Sequence, residues 1–408
     1  MAQGEKAPKF QMSKRMAQMC KTPAPGSGSF WQLNLLKRQI IAKWFALWAL
    51  AAVPGTAHSN GAAWDWGTAS PESQGMSSPK LKAMADALAA RQTSGLLIIR
   101  NDKIVWEWYA PDSGVNKPHG TASMAKALVG GVSTAVALTD ARFSLDDKAA
   151  KYIPQWRDDP IKSRITLRHL GSHTSGLGDA ETDELRHELL TGWKGDFWKR
   201  LAPPHDPFTI SRDLVPVLFE PGERTQYSNP GIAMLVYAVT AALTNAPQKD
   251  LRMLLRERVM RPIGVPDLEW SVGYNTNFVV DGLSLVGAWG GASYTARAVA
   301  RVGRLMLRKG DWEGKQLLTP EAVRLVTSDG GAPSTCGIGW WSNNQGVVAA
   351  VPRDAFWGSG AGHQLVFVVP SLGLIAVRNG QALAPNPYHK AAYKWLFEPL
   401  MSAVTDRK

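Results

Sequence analysis

The chain has 408 residues, of which 45% are hydrophobic and 20% charged, a formal charge of +12 and two cysteines. This composition excludes whole-chain disorder and collagen-like repetition, and two cysteines make neither a disulfide framework nor a Cys₄ zinc site. The basic excess is local: residues 1–57 hold eight Lys/Arg against one acid, Glu5, so the other 351 residues carry a net of only +5. The densest later basic cluster, Arg252, Arg256 and Arg258, is interleaved with Leu254 and Leu255 and reads as a solvated helix face, not a nucleic-acid surface.

In chain order, residues 37–57 read as a secretory signal. Lys37, Arg38 and Lys43 form a basic flank, Trp44 to Val53 an unbroken apolar run, and Gly55-Thr56-Ala57 a cleavage site ending at Ala57. Ten residues rise only ~15 Å as a helix, about half of a ~30 Å hydrocarbon core, so a permanent span is the weaker reading. Cleavage would remove Cys20 and leave Cys336 as a buried small hydrophobe. An exported chain without disulfides points to a bacterial periplasm or to secretion. The expected organisation is a leader over 1–57 and one domain over 58–408.

Ser78-Pro79 followed by Leu81, Met84, Ala85 and Leu88 predicts an amphipathic helix with Ser78 as N-cap. Gly95–Arg100 and Lys103–Tyr109 predict a hairpin turning at Asn101-Asp102. A mostly helical stretch follows, with helices expected over 123–139, 211–219, 231–243, 248–260 and 295–308. Strands are expected over Val347–Val351, Gln364–Val369 and Leu374–Arg378, and a last helix over about Tyr388 to Met401. Strands at both ends with helices between them predict an α+β fold. One antiparallel sheet would be built from about 58–122 and 309–408, with a helical subdomain over about 123–308 inserted.

Several common sites are missing. There is no Gly-x-Ser-x-Gly elbow and no Gly-Lys-Ser/Thr phosphate loop, and Thr191 stands where a zinc-protease motif beginning at His187-Glu188 needs its second His. His169 and His173 have a helical metal-site spacing, but Gly171-Ser172 interrupts it. No cofactor and no metal are called for. What remains is Ser123-Met124-Ala125-Lys126. Ser-x-x-Lys alone is a weak motif, and Ser77-Ser78-Pro79-Lys80 is a decoy explained by helix capping. Ser123, however, follows a loop and opens a helix-compatible run. Free N–H groups at a helix start favour a developing oxyanion, and a lysine three residues on shares its face. Burial would lower that lysine's pKa, so that it can take the serine proton. Tyr227-Ser228-Asn229 adds a phenol for proton transfer to the leaving group, and an amide able to hold a substrate carbonyl and the lysine. Trp357-Gly358-Ser359-Gly360-Ala361-Gly362-His363 gives a strand edge that a substrate can approach closely.

In these segments the chain resembles the serine β-lactamase / penicillin-binding-protein superfamily, specifically its class C-like branch of β-lactamases, D-amino-acid peptidases, esterases and nylon-oligomer hydrolases. Further matching segments are Ile165–Leu170, His173–Leu177, Gly290–Ser293, Leu318–Glu321 and Gly337–Trp341. The resemblance implies a sheet flanked by helices with an all-α subdomain. It makes Ser123 the acylated nucleophile, Lys126 its activator, Tyr227 the general base and acid, and Asn229 a substrate-positioning amide. Gly360 and Ala361 would border the substrate, and the N–H groups of Ser123 and Ala361 would hold the oxyanion. His169 and His173 stay structural. The Lys-Thr-Gly of β-lactamases and D-Ala peptidases is replaced by Gly358-Ser359-Gly360, which removes the cation for a substrate carboxylate unless His363 or Arg378 supplies it. The reading is therefore an exported hydrolase of a small ester, amide or peptide-like substrate. A β-lactamase or D-Ala/D-amino-acid peptidase is the alternative, and a non-catalytic penicillin-binding-like sensor the second. Trp340, Trp341 and Trp357 are candidate walls of an apolar acyl pocket.

Overall fold

The computed structural model describes residues 64–406 except 183–184, 331–332 and 385–387. The proposed signal and its cleavage site lie outside the described residues. The centre of the fold is a seven-stranded sheet whose strands come from both ends of the domain. β1 (Gly67–Thr68), β2 (Thr93–Arg100) and β3 (Lys103–Tyr109) come from the start, β4 (Trp341–Ser342), β5 (Phe356–Gly360), β6 (Gln364–Val369) and β7 (Leu374–Gly380) from the end. Their order is β1-β3-β2-β7-β6-β5-β4. The halves join where β2 and β7 pair antiparallel, with Leu97 opposite Val377. Every pairing is antiparallel except at one edge, where β1 runs parallel to β3, so the sheet is mixed rather than wholly antiparallel. Two residues are too short to show a sequence period. The β2–β3 turn is the expected one: Asn101 and Asp102 both have positive φ, as a two-residue turn matched to strand twist requires.

Alternation along the strands divides the core in two. Leu97, Ile99, Val366, Val368, Ile375 and Val377 face the larger, inner core; Leu96, Ile98, Leu365, Phe367 and Leu374 face an outer one. The outer face is covered by α1 (Ser78–Ala89), through Leu81, Met84 and Leu88, and by the C-terminal helical run, through Leu396, Phe397 and Leu400. The cap of α1 is Ser77 rather than Ser78, and Glu72 accepts the Ser78 N–H. On the inner face lie α2 (Val132–Thr139), α3 (Leu167–Gly171), α4 (Pro207–Asp213), α5 (Asn229–Ala242) and α6 (Ala296–Leu307). Gly303 of α6 packs on Val366, Val368 and Ile375, so this helix covers the sheet directly and is not part of an inserted subdomain. The middle segment also carries short strands, including a three-stranded sheet of His119–Gly120, Ser293–Tyr294 and Trp270–Ser271.

Three local expectations are corrected. The helix expected over 211–219 is α4, placed earlier because Asp206 caps it by accepting from the Phe208 and Thr209 N–H groups, with Pro207 in its first turn. Pro216 excludes helical geometry at the residue before it. The helix expected from 248 begins at Leu251, where Asp250 caps it by accepting the Met253 N–H. Val347–Val351 is a loop, not a strand. Its apolar Val348 and Val351 are buried, but the backbone of those two residues is held by a turn bond from Val351 N–H to the Val348 carbonyl and by Asn343, which accepts from Val348 N–H and donates to the carbonyls of Val348, Val351 and Pro352.

Candidate active site

Ser123 lies in a 3₁₀ turn, Ala122–Met124, followed by a π-helical stretch, Lys126–Gly131, that runs into α2. The expected α-helical start is thus a tighter turn and then a wider one, a departure that recurs at functional sites. Ala122, just before Ser123, has φ +46°, unusual for a residue with a Cβ. The run is long and apolar enough to resemble a membrane span, but 78% of it is buried in the inner core. It is held there by close backbone packing. Gly339, at φ +72°, lies so near the Lys126 carbonyl that a side chain has no room, and a Cβ on Gly131 would sit 2.7 Å from Trp340 Nε1.

Lys126 is 3% exposed. Its ammonium donates to Ser123 Oγ at 3.0 Å, to Asn229 Oδ1 at 2.7 Å and to the Trp289 carbonyl at 2.7 Å. All three acceptors are neutral. Burial pulls the Lys126 pKa down to about 7, while the more distant charges of Glu181 and Asp179 hold it up. The Tyr227 phenol shares a hydrogen bond with Ser123, and its ring lies 4.7 Å from Lys126 Nζ. Burial raises this phenol well above its ordinary value, and the Ser123 hydrogen bond only partly offsets it. The phenol therefore keeps its proton at neutral pH, and the ammonium is brought to where it can lose its own. Of the two groups, the lysine is the one able to take a proton and the phenol the one able to give it.

Asn229 is fully buried at the first residue of α5, whose cap is Ser228. Its Oδ1 faces Lys126, and its Nδ2 donates to Asp179 Oδ1 at 3.0 Å. A lysine only donates and a carboxylate only accepts, so these partners fix the amide orientation. Asn229 therefore holds the lysine and does not line the cleft, in place of the substrate contact expected of it. Asp179, absent from the sequence expectations, also accepts from Asn229 N–H at 2.9 Å and is the anchor of this corner. Its nearest sequence signal is its place two residues beyond His173–Leu177.

His173 does not share a helical face with His169, because α3 ends first and His173 has φ +62°. His169 Nδ1 accepts from Thr166 N–H in a capping box, a structural role. His173 is buried, accepts from Ser228 N–H through Nδ1, and lies against Tyr227 with ring centroids 4.6 Å apart. Burial and the Lys126 charge lower its pKa to about 3, so it is a neutral brace for the tyrosine loop. Cys336 is buried, and burial pushes its thiol up to about 12.

These groups meet in an open cleft lined by Ser123, Tyr227, Gly360, Ala361, Trp341 and the acidic pair Asp179 and Glu181. Gly360 is required by proximity: a Cβ there would stand 2.9 Å from Ser123 N and 2.8 Å from Met124 N. The end of β5 thus meets the backbone of Ser123 and Met124. Neither proposed substitute for a substrate-binding cation lines this cleft. Arg378 is fully buried and donates to Thr93 Oγ1 and to the carbonyls of Gly362, His363 and Gln381. His363 is buried with Nδ1 accepting from Leu383 N–H. Of the three tryptophans, only Trp341 lines the cleft. Trp340 is core, packed on Phe356, and Trp357 packs on Phe397 on the outer face.

Comparison with known proteins places this arrangement. A Mycobacterium tuberculosis protein, Rv1367c, is 25% identical over 264 residues, which are 53% of this chain and 62% of that one, so the alignment spans less than two-thirds of the relative. Among solved structures, the fold is shared with a Bacillus anthracis protein provisionally named a 6-aminohexanoate-dimer hydrolase. Its TM-score is 0.62 at 19% identity, covering 82% of this chain and 87% of that one. It is also shared with a family VIII carboxylesterase, at TM-score 0.57 and 15% identity over 80% of this chain and 99% of that one. A third is a D-stereospecific amidohydrolase from Streptomyces, at TM-score 0.54 and 17% identity over 74% and 93%. The Beta-lactamase family model matches residues 81–399, from α1 to the C-terminal helices, and the chain belongs to that family of β-lactamase-fold serine hydrolases.

Proposed function

We propose that the protein is an exported serine hydrolase that cleaves an ester or amide bond through an acyl-enzyme on Ser123. One observation carries the reading: a buried Lys126, held by neutral acceptors and with its pKa brought to about 7, lies 3.0 Å from Ser123 Oγ. A neutral Lys126 takes the Ser123 proton as Oγ attacks the substrate carbonyl. The N–H groups of Ser123 and Ala361 receive the oxyanion. As the intermediate collapses, the carbon–oxygen or carbon–nitrogen bond to the leaving group breaks. Tyr227 gives that group its proton and is refilled from the Lys126 ammonium. Water then attacks the acyl-enzyme with Lys126 again neutral, and releases the acid.

The preference for esters and small amides over β-lactams or D-peptides rests on the charge of the cleft. Asp179 and Glu181 line it, and among the described residues no Lys or Arg does. A substrate carboxylate would meet repulsion there. A non-catalytic sensor has no need of a lysine brought to a catalytic pKa. Export, to a periplasm or beyond, is supported by the basic flank and the apolar run ending at Ala57. The test is fluorophosphonate labelling with intact-mass analysis, followed by turnover of p-nitrophenyl esters, linear amides and nitrocefin. The expected result is one label on Ser123, turnover of esters or amides well above nitrocefin, and no turnover by Ser123→Ala. Near-normal hydrolysis by Ser123→Ala overturns the mechanism, and dominant nitrocefin turnover overturns the substrate class.

A further inference from the structure

Beside the catalytic cleft lies a second cavity of about 200 Å³. Its walls include Trp341, Trp357, Ser359, His363, Ala392 and Tyr393, and among the described residues that line it there is no Lys, Arg, Asp or Glu. Two of these residues, Trp341 and Ser359, line the catalytic cleft as well. Strand geometry explains the adjacency, since successive side chains of β5 point to opposite sheet faces. A Cβ on Gly358 or Gly360 would run into Met124, Ala127 or the Ser123 backbone, so the glycines face the nucleophile. Trp357 and Ser359 face the other way. The Trp357 ring packs there on Tyr393 and Phe397, with centroids 6.2 and 5.3 Å away. Ser359 is the shoulder between the reacting centre and an aromatic chamber one residue away.

The chamber also has a defined side. Trp341 and Tyr227 line the same cleft, and the His173 ring lies 4.6 Å from Tyr227 and 6.3 Å from Trp341. In the acyl-enzyme reading, on which this inference rests, Tyr227 supplies the leaving-group proton. We propose that the cavity is a subsite for the leaving group and takes an apolar aromatic or branched portion of the departing alcohol or amine. Size agrees: an apolar cavity of about 150 Å³ is enough to hold benzene. The chemistry agrees as well, because the walls offer rings and the chamber offers no counter-charge.

The test uses acetate esters of ethanol, isobutanol and 2-phenylethanol, which share one acyl group and have leaving alcohols of similar acidity. A parallel series of ethyl esters varies only the acyl group. The wild-type protein is expected to gain about tenfold or more in kcat/KM from the ethyl to the 2-phenylethyl ester, the scale on which apolar pockets discriminate. Ala392→Leu fills the chamber. Val347→Phe narrows its rim from a position 49% exposed, where no core packing is disturbed. Both should flatten the alcohol series to within about twofold while keeping the ethyl acetate rate and the acyl series unchanged. A thermal melt separates misfolding of Ala392→Leu from a specificity effect, and Val347→Phe stands independently of it. A flat wild-type alcohol series, or variants that respond only in the acyl series, overturns the assignment while the hydrolase reading stands. Absence of both turnover and Ser123 labelling overturns the two together.

Discussion

Two buried cations show how differently one fold can treat a positive charge. Arg304, 2% exposed on α6, donates to both oxygens of Asp102 at 2.8 Å and to Glu313 at 2.6 Å, and lies against the rings of Trp64 and Trp312. Lys126, 3% exposed, has a serine hydroxyl, an amide oxygen and a backbone carbonyl. The first cation is neutralised by charge and fixed. The second is satisfied in its hydrogen bonds but not in its charge, so burial acts on its proton instead. A guanidinium does not shed its proton and an ammonium does. The difference separates a strut from the base proposed for Lys126, and partner type rather than depth of burial decides it.

The sharpest way to break this comparison is Lys126→Arg. It keeps the charge and part of the hydrogen bonding but removes the ability to become neutral. It should lose about 10²–10⁴ in kcat, as Lys126→Ala should, when steady-state rates are measured on a p-nitrophenyl ester. A Lys126→Arg enzyme that retained a tenth of the activity would mean that positive charge, not proton acceptance, is what the site needs. Tyr227→Phe should follow with a loss of about 10²–10³, larger for amides than for activated esters because a poor leaving group depends more on its proton.

The parts of this site that were readable from sequence are those carried by local spacing. Ser123 and Lys126 fall on one short helical run, and Tyr227 and Asn229 on one loop leading into α5. What escaped is long-range or belongs to the backbone. Asp179 meets Asn229 across 50 positions, and the Trp289 carbonyl has no side-chain signal. The role of Asn229 changed for the same reason, because nothing local indicates that both ends of its amide are occupied. In the fold, the β2–β3 hairpin and strands β6 and β7 followed from short β-rich runs. Val347–Val351 is an equally apolar run without being a strand. Burial of Val348 and Val351 was legible, but the Asn343 side chain that replaces strand pairing was not.

The pH profile sharpens the same contrast with a smaller effect. If neutral Lys126 is the base, kcat/KM rises with pH through about 7 and then levels, since burial has lowered the ammonium to that value. Glu181 and Asp179 stabilise the ammonium from a distance. Glu181→Gln removes one of these charges without touching Ser123, Asn229 or Tyr227. It should disfavour the charged lysine and move the acidic limb to lower pH, with the plateau within about twofold of wild type. His173, held near 3, should add no limb above pH 5. An unmoved limb in Glu181→Gln would assign that titration to another group.

The smallest effect on catalysis should come from the other cation. Arg304→Met leaves the aromatic cage but removes the partner of Asp102 and Glu313. The loss in unfolding free energy should be about 1–3 kcal/mol, toward the lower figure because Asp102 keeps Arg308 and both carboxylates reach water. Burial works to raise the Asp102 pKa, but the hydrogen bonds of Arg304 and Arg308 outweigh it and hold the carboxyl below its ordinary value. A depressed carboxyl contributes stability above its unfolded pKa and loses it as pH falls through the folded one. The gap between wild type and variant should therefore narrow in acid, as read by urea titrations at neutral and acidic pH. kcat and its pH limb should not change in the folded variant. A shifted limb in Arg304→Met would show that the two cations feel each other, and that the division between strut and base is less local than their partners imply.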